Sequence, residues 1–305
     1  MTYHASRTVR RDQQLSNFLG RPVKWLVIAV LLAIILFPLY WLVTNSFKPE
    51  QEYYHKPPIM VPIHPTTQNF VDIVVNRGLF TGLKNSVLIA VFTTLATVLF
   101  GSLASYALVN GVLPRRLKHV FAWWFLIQKM YPAIVVAVPV FYIIRSLQLM
   151  DRVAALVLMN TSFNLPLVIL LMVGFYQEAP FEVEEQSMLD GCNLLQRWFY
   201  ITTPMVRAGM IATGMLTFVA SWNEFLYAVI LTIVRAKPLT VLIAGFITDK
   251  ALVWGPMAAM GCVVIAPVLV IMWAMQRDFI SGVSAGALKG CRGCSTPSLS
   301  CSGSG

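Results

Sequence analysis

Long runs of apolar residues alternate along this sequence with short polar stretches that hold most of the charged residues. Six of the runs are long enough to cross ~30 Å of hydrocarbon as helices, which takes about 20 residues each. They cover approximately Val23–Thr44, Asn85–Val109, Val120–Ile144, Val153–Tyr176, Ala208–Ile233 and Pro256–Met275. Prolines inside these runs are tolerable, because neighbouring helices in a bundle can satisfy the freed carbonyl groups. The pattern predicts an all-α integral membrane protein with six transmembrane helices.

Composition supports a membrane protein and excludes an ordinary soluble domain. The chain is 57% hydrophobic and 12% charged, with a mean hydropathy of +0.70. A net charge of +10 could suit a nucleic-acid partner. The basic residues, however, stand singly or in short clusters at the ends of apolar runs, as membrane topology requires. We therefore expect a lipid bilayer and no nucleic acid as partner.

The distribution of basic residues also predicts an orientation. Six spans place both termini on one side, and the positive-inside rule favours the cytoplasmic side. Of the 23 basic residues, thirteen then lie inside and nine outside, while Lys129 remains within an apolar run. The first run is too long for a signal peptide and lacks a cleavage site, so we interpret it as an uncleaved span.

One polar segment between the fourth and fifth runs is unusually acidic. Five of the 13 acidic residues fall between Glu178 and Asp190. Pro180 suits the start of a helix, and Gly191 permits the positive φ that ends one. A second short helix, with Leu194, Leu195, Trp198 and Ile201 on its apolar face, should follow, and Pro204 should prevent it from running straight on. This helix–turn–helix is either a docking surface for a cytosolic partner or an amphipathic element without one.

The same segment carries a family resemblance. Glu185-Gln186-Ser187-Met188-Leu189-Asp190-Gly191, followed by Ile201-Thr202-Thr203-Pro204, resembles the signature loop of permease subunits of binding-protein-dependent ATP-binding-cassette importers. The sugar-importer branch is the most similar. Further matching motifs, in order within residues 25–290, are Ser46-Phe47-Lys48-Pro49, Asn85-Ser86, Ser105-Tyr106-Ala107-Leu108, Met130-Tyr131-Pro132, Trp222-Asn223-Glu224-Phe225-Leu226 and Gly286-Ala287-Leu288-Lys289-Gly290. Gln186 and Ser187 replace the paired alanines of the family, and Thr203 replaces its leucine.

The resemblance implies a type I importer permease fold with three parts. These are a cytoplasmic tail (1–24), a six-span permease domain (25–290) with a coupling loop at about 177–207, and a disordered or artificially appended tail (291–305). It also implies that a coupling helix sits in a cleft of an ATPase subunit. The residues it assigns to this contact are Glu184, Glu185, Gln186, Ser187, Asp190 and Gly191.

The implied partners are a second, similar permease chain, two ATP-binding-cassette ATPase subunits and a periplasmic or extracellular solute-binding protein. The loop Phe47–Leu83 is rich in proline, and we expect an ordered external crossing there that could receive the binding protein. The implied location is the prokaryotic cytoplasmic (inner) membrane. Function would be vectorial import of a sugar or sugar derivative. A non-sugar solute, such as an amino acid or osmolyte, and an ion-gradient-driven carrier remain as alternatives.

No catalytic chemistry is visible in the residues. The sequence has no G-x-x-x-x-G-K-[ST] phosphate loop, so ATP and Mg would be bound by partner subunits. The four histidines lack metal-site spacing, and Cys291-x-x-Cys294 has no second ligand pair. We therefore expect no catalytic residue, no metal and no cofactor in this chain.

Two charged residues fall well inside the apolar runs, away from their ends: Lys129 and Glu224. Isolated charges cost at least ~2.5–3.5 kcal/mol at the bilayer centre, so each should face a partner or a water-filled path. With Asn160, Asn164 and Asn223 they could line the solute path. Alternatively they tie helices together, or Lys129 extends towards the headgroups. A Lys129 on the path would suit an anionic sugar derivative.

Overall fold

The computed structural model describes residues 5–111, 113–247 and 253–287, with side chains between residues 23 and 274 and at residue 276. The helices are α1 (Ala5–Ser46), α2 (Glu50–Tyr53), α3 (Gln68–Val75), α4 (Leu79–Asn110), α5 (Arg115–Met130), α6 (Ala133–Ser146), α7 (Val153–Glu178), α8 (Phe181–Leu189), α9 (Leu194–Gln196), a π-helix (Arg197–Thr202), α10 (Thr203–Met205), α11 (Arg207–Trp222), α12 (Leu226–Leu231), α13 (Leu239–Ala244) and α14 (Trp254–Ala287). The predicted all-helical fold is confirmed. The cysteine-containing tail 291–305 lies outside the described residues.

Among the described residues, four helices have the length and hydrophobicity of a membrane span, within Val23–Ser46, Leu79–Asn110, Val153–Glu178 and Trp254–Ala274. Most side chains of the first of these are exposed to the surroundings, as lipid contact requires. Two further spans result only if two bent helix pairs are each counted as one. The count of six therefore stays a prediction. The first helix also begins at Ala5, well before the predicted start at Val23.

The third predicted span, Val120–Ile144, is wrong as one continuous helix. α5 ends at Met130 and α6 begins at Ala133, with a bend of 97° between them. Pro132 explains the break, because a proline disfavours the helical conformation at the residue before it. Tyr131 accordingly adopts φ −85° and ψ 145°.

The fifth predicted span, Ala208–Ile233, is also interrupted. α11 ends at Trp222, and α12 begins at Leu226 after a short non-helical segment. Another bend of 84° separates α11 from the helical segment Leu194–Met205 that precedes it. The chain therefore leaves the polar segment at a steep angle before it enters the bundle.

The chain forms two compact units, and the larger covers residues 77–245 and 264–305. Within it α4 packs along α7, and α11 packs against both helices. Small residues permit this close approach, since a Cβ on Gly101 would collide with Val168 and one on Gly209 with Phe175. The Ser105 hydroxyl donates to the carbonyl of Gly101 and also across to Ile169, at 2.6 and 3.0 Å. Packing by small residues with added hydroxyl bonds is typical of helices in membranes.

The smaller unit comprises residues 1–76 and 246–263. Its ordered corner is the segment that follows α1. The Asn69 side-chain amide donates to the carbonyl groups of Ser46 and Lys48, both at 2.9 Å. The Tyr53 hydroxyl lies 2.7 Å from the backbone carbonyl oxygens of both Asn45 and Lys48, which share its proton. The expected ordered crossing between the first two long helices is therefore present.

Asp151 ties two loops of the larger unit together. Its carboxylate accepts hydrogen bonds of 2.9–3.2 Å from the backbone N–H groups of residues 233–236. Asp151 itself adopts φ 57°, and its own N–H donates to Leu231 at 2.9 Å. Burial raises the pKa of this carboxyl, but the four N–H donors outweigh burial and lower the pKa to about 2.

This lowered pKa predicts an acid-dependent loss of stability. An unfolded aspartate titrates near 3.9, so the stabilisation by Asp151 is present above about pH 4 and is lost as pH falls towards its folded pKa. Asp151→Asn should therefore lower the midpoint temperature of unfolding at pH 6. The fall of this temperature between about pH 4 and pH 2 should also be smaller than in the unaltered protein. Thermal unfolding of purified protein in detergent would measure this. Glu182→Gln, which also removes one carboxylate, should leave the decline unchanged; equal profiles for both variants would contradict the assignment to Asp151.

Candidate functional site

Helix α8 presents two different faces to its surroundings. Glu184 and Ser187, three residues apart on one side, are buried, whereas Glu185, Gln186 and Leu189 are exposed. Residues at i and i+3 share one face of a helix, which explains the division. The predicted contact residues Glu184 and Ser187 are therefore turned into the protein and cannot touch a partner at the surface. Glu185 and Gln186 remain available.

Glu184 lies at the centre of a buried polar cluster, and only 4% of this residue is exposed. The Tyr106 hydroxyl donates to its Oε1 atom at 2.6 Å, and the Asn110 side-chain amide donates to Oε2. Arg197 forms an ion pair with the same carboxylate, with 3.5 Å between Nη1 and Oε1. These bonds connect α8 to the C-terminal end of α4 and to the π-helix. Glu184 therefore fastens the polar segment to the bundle.

A second group of hydrogen bonds lies beside this cluster. The Trp198 indole N–H is 3.1 Å from both the Ser102 hydroxyl and the Tyr176 hydroxyl, which are 2.6 Å from each other. The rings of Tyr106 and Tyr176 meet edge-to-face with 5.6 Å between their centroids. The three elements α4, α7 and the π-helix are thus joined by side-chain bonds. Such fully satisfied buried networks make a junction rigid.

The turn after α8 confirms the positive φ predicted for Gly191, which adopts φ 80°. The Gly191 N–H donates to the Met188 carbonyl, and the Cys192 N–H donates to the Ser187 carbonyl, both at 3.1 Å. This pair of bonds is the Schellman motif, which requires a left-handed residue at the position of the glycine. Asp190 and Gly191 are exposed and leave this turn open to a partner.

The second short helix differs from its prediction. It begins with a capping box between Asn193 and Gln196, and then continues as a π-helix. Of the predicted apolar face, Trp198 is buried, but Leu194 and Leu195 are exposed. A π-helix holds more residues per turn, so the side chains rotate away from the register expected for an α-helix.

The exposed residues of this segment form one mixed surface. We define the docking surface as the exposed apolar and acidic residues Phe181, Glu182, Val183, Glu185, Met188, Leu189, Asp190, Leu194, Leu195, Phe199 and Tyr200. Leu189 is 88% exposed and Tyr200 is 73% exposed. A cleft of about 480 Å³ lies between Asp190, Gly191 and Tyr200. Exposed apolar residues bordered by charge are typical of a contact site for another protein or for the membrane.

Sequence reasoning identified the turn but missed what holds it. Tyr106 belongs to a recognised motif without an assigned role, and Arg197 is interpreted only as a topology signal. Arg197 could have been noticed as a cation beside a tryptophan in an otherwise apolar segment. Tyr106 and Asn110 could not have been paired with Glu184, because more than 70 residues separate them along the chain.

The structure divides the predicted path residues into two groups. Glu224 and Asn160 line the same small cavity, with Ser86 and Ser221. The Asn164 side chain donates to the Asn160 carbonyl at 2.9 Å within α7. Lys129, by contrast, is exposed at the end of α5. Asn223, also exposed, donates to the Val219 carbonyl at 2.9 Å.

Glu224 has a structural role that the sequence did not suggest. Its two carboxylate oxygens accept the backbone N–H groups of Tyr227 at 2.7 Å and Ala228 at 3.1 Å. These are free donors of the first turn of α12, so Glu224 acts as the cap that restarts the helix after the break. Among the described residues, no three His, Cys, Asp or Glu side chains converge as a metal site requires.

Comparisons with known proteins agree on one class of protein. The family model described as "Binding-protein-dependent transport system inner membrane component" matches residues 97–277. The sulfoquinovosyl glycerol transport system permease protein of Agrobacterium fabrum is 32% identical over 93% of this chain and 99% of its own length. The trehalose transport system permease protein of Mycobacterium tuberculosis is 30% identical over 88% of this chain and 98% of its own length.

A solved structure has the same fold. One chain of a bacterial ATP-binding-cassette transporter involved in the import of the acidic polysaccharide alginate superposes with a TM-score of 0.72. The match covers 91% of this chain and 99% of that chain, at 18% sequence identity. At this identity the likeness concerns the fold alone.

Proposed function

This chain belongs to the family of binding-protein-dependent transport system inner membrane components, and we propose that it forms half of the translocation path of a sugar importer. It is a transport subunit and not an enzyme, since the relatives are permease components of ATP-binding-cassette transporters. The observation that carries the proposal is the docking surface on α8, held to the bundle by the buried Glu184 cluster. A surface that is exposed to a partner on one side and bonded to the bundle on the other can transfer a movement of the partner to the bundle.

In the proposed mechanism a partner ATPase subunit holds α8 in a cleft against Glu185, Gln186, Asp190 and Gly191. Closure of the ATPase pair then moves α8 as a rigid body. Glu184 transmits the movement to α4 through Tyr106 and Asn110, while the continuous chain transmits it to α7. Because α4, α7 and α11 pack together, the displacement reaches the centre of the bundle.

The assembly would contain a second permease chain, two ATPase subunits that bind ATP and Mg, and a solute-binding protein. Its location would be the prokaryotic inner membrane, with both termini in the cytoplasm and the docking surface facing the ATPases. The crossing after α1 would face the binding protein on the other side. A solved alginate transporter in complex with its ligand-bound periplasmic protein has a related fold, with a TM-score of 0.59.

We infer a sugar or sugar derivative as solute because named relatives import sulfoquinovosyl glycerol and trehalose. Of the proposed path residues, Asn160 and Glu224 are the two that line the same cavity. Asn164 supports Asn160 from the next turn of the same helix. Lys129 and Asn223 are both exposed, so they would contact the solute only at the surface of this chain.

Uptake into vesicles tests the proposal. The chain would be reconstituted with a second permease, an ATPase and a solute-binding protein from the same organism. We expect uptake of radiolabelled sugar to require enclosed ATP and binding protein, with at least about a tenfold rise over vesicles lacking ATP, equivalent to ~1.4 kcal/mol in the barrier. A proton gradient without ATP should give no uptake. Gradient-driven uptake, or ATP-driven uptake of amino acids but of no sugar, would contradict the proposal.

A further inference from the structure

A small cavity lies where α4, α7 and α11 meet the break before α12. It measures about 10 Å³, and four polar residues line it: Ser86, Asn160, Ser221 and Glu224. Its apolar walls are Ile89, Leu156, Trp222, Ala228 and Pro238. A cavity needs roughly 10–15 Å³ of such volume to admit one water molecule, whereas pockets that bind small organic ligands measure roughly 300–1,000 Å³. The cavity therefore has room for one water molecule and not for a sugar.

The Ser221 hydroxyl, on the lining of this cavity, lacks a bonding partner. Only 4% of this residue is exposed, and its Oγ atom has no hydrogen-bond partner among the described residues. A hydroxyl buried in this way gives up the hydrogen bonds that it makes in water and gains none in return. Buried polar groups in folded proteins are usually bonded to a protein group or to an ordered water. Because Ser221 lines the cavity, a small polar molecule there would supply the missing bond.

The neighbouring polar groups offer both donors and acceptors. Asn160 is 3% exposed, and its side-chain amide carries an acceptor oxygen and two donor hydrogens. The Ser86 hydroxyl accepts the Leu239 N–H at 2.8 Å, a bond that does not use the proton of the hydroxyl. Glu224 accepts backbone N–H groups at the start of α12, and an ionised carboxylate has about four acceptor sites. These groups can therefore bond a molecule that both donates and accepts hydrogen bonds.

We propose that this cavity binds one ordered water molecule, which bridges the Ser221 hydroxyl, the Asn160 amide and the Glu224 carboxylate. Water is both a donor and an acceptor, and a buried water in a protein typically makes about three hydrogen bonds. A metal cation is a poorer occupant, because it requires several oxygen ligands and this carboxylate already accepts backbone N–H groups. The water joins the end of α11 and the cap of α12 to α7, and so holds the interrupted helix in place. The inference concerns this chain alone and does not depend on the transported solute.

A high-resolution map of the full-length chain tests the inference. The chain in lipid nanodiscs, with a bound antibody fragment for particle alignment, would be imaged by cryo-electron microscopy at a resolution that shows ordered waters. We expect a density peak roughly 2.7–3.2 Å from Ser221 Oγ and from a polar side-chain atom of Asn160 or Glu224. A map that shows other buried waters but no peak in this cavity would overturn the inference. A peak surrounded by oxygen atoms at roughly 2.3–2.6 Å would identify a cation and would overturn it as well.

The direction of a stability change provides a second test. Ser221→Ala removes the hydroxyl and keeps the cavity. If the hydroxyl bonds a water, the midpoint temperature of unfolding should fall by about 2 °C or more, because the water loses one of its partners. If the hydroxyl is unbonded, this temperature should stay the same or rise, because an unsatisfied polar group is removed and alanine favours a helix more than serine does.

Thr97→Val is the matched control for Ser221→Ala. The Thr97 hydroxyl also lacks a partner among the described residues, and the residue is 0% exposed within α4 but does not line this cavity. Valine has nearly the shape of threonine, so this variant removes an unpartnered hydroxyl and should not lower the midpoint temperature. Thermal unfolding of both purified variants in detergent measures the difference. Equal changes in the two variants, or a rise in Ser221→Ala, would show that Ser221 bonds no water.

Discussion

Glu184→Ala should abolish most ATP-driven uptake and also destabilise the chain. The substitution leaves Arg197 buried without its counter-ion and removes the acceptor of the Tyr106 hydroxyl and the Asn110 amide. Arg197 Nε and Nη1 have no hydrogen-bond acceptor among the described residues, so nothing there replaces the carboxylate. Breaking a buried pair in this way typically costs ~3–5 kcal/mol. Uptake by reconstituted vesicles and thermal unfolding of the purified chain measure the two effects.

Glu185→Ala is the matched control, one residue further along the same helix. Its side chain is exposed on the docking surface, so its removal should change the free energy of unfolding by no more than about 0.5 kcal/mol. Uptake should still fall, because the proposed contact with the ATPase loses a carboxylate. Tyr106→Phe should weaken transport less than Glu184→Ala, since it removes one of three partners. If Glu184→Ala unfolds normally and transports normally, the buried cluster does not connect α8 to the bundle.

The contrast between Glu184 and Glu185 shows which features of the site could be predicted from the sequence. Both residues stand in one acidic segment, and helix periodicity allows them different faces. Which face turns inward depends on α4 and the π-helix, which supply Tyr106, Asn110 and Arg197. Sequence therefore located the segment, whereas the direction of each side chain required the tertiary structure.

Some helix ends could be predicted from the sequence and others could not. The stop at Gly191 was predictable, because the left-handed turn is a local property of glycine. The prolines inside apolar runs were ambiguous, since a proline in a bundle either bends a helix or ends it. Pro132 separates α5 from α6, whereas Pro166 lies within continuous α7. The gap after Trp222 contains no proline and is stabilised by Glu224, a residue that the sequence suggested for the solute path.

Gly191→Val should uncouple transport while the chain still inserts in the membrane. Gly191 adopts φ 80°, and a left-handed conformation costs an L-residue roughly 1–2 kcal/mol, with β-branched residues the least tolerant. No atom lies within 4 Å of a Cβ at this position, so the cost is conformational and not steric. We expect the Schellman turn to open and displace Asp190 on the docking surface. Uptake should fall at least about tenfold, as a loss of ~1.4 kcal/mol would produce.

Gly78→Val separates backbone strain from coupling. Gly78 adopts φ 65° and likewise has no atom within 4 Å of a Cβ, but it precedes α4 on the loop between the first two long helices. Both variants carry the same kind of strain, so their unfolding temperatures should fall by similar amounts. Only Gly191→Val should also lower the stimulation of ATP hydrolysis by loaded binding protein. Equal loss of stimulation in both variants would mean that general destabilisation, and not the turn after α8, limits coupling.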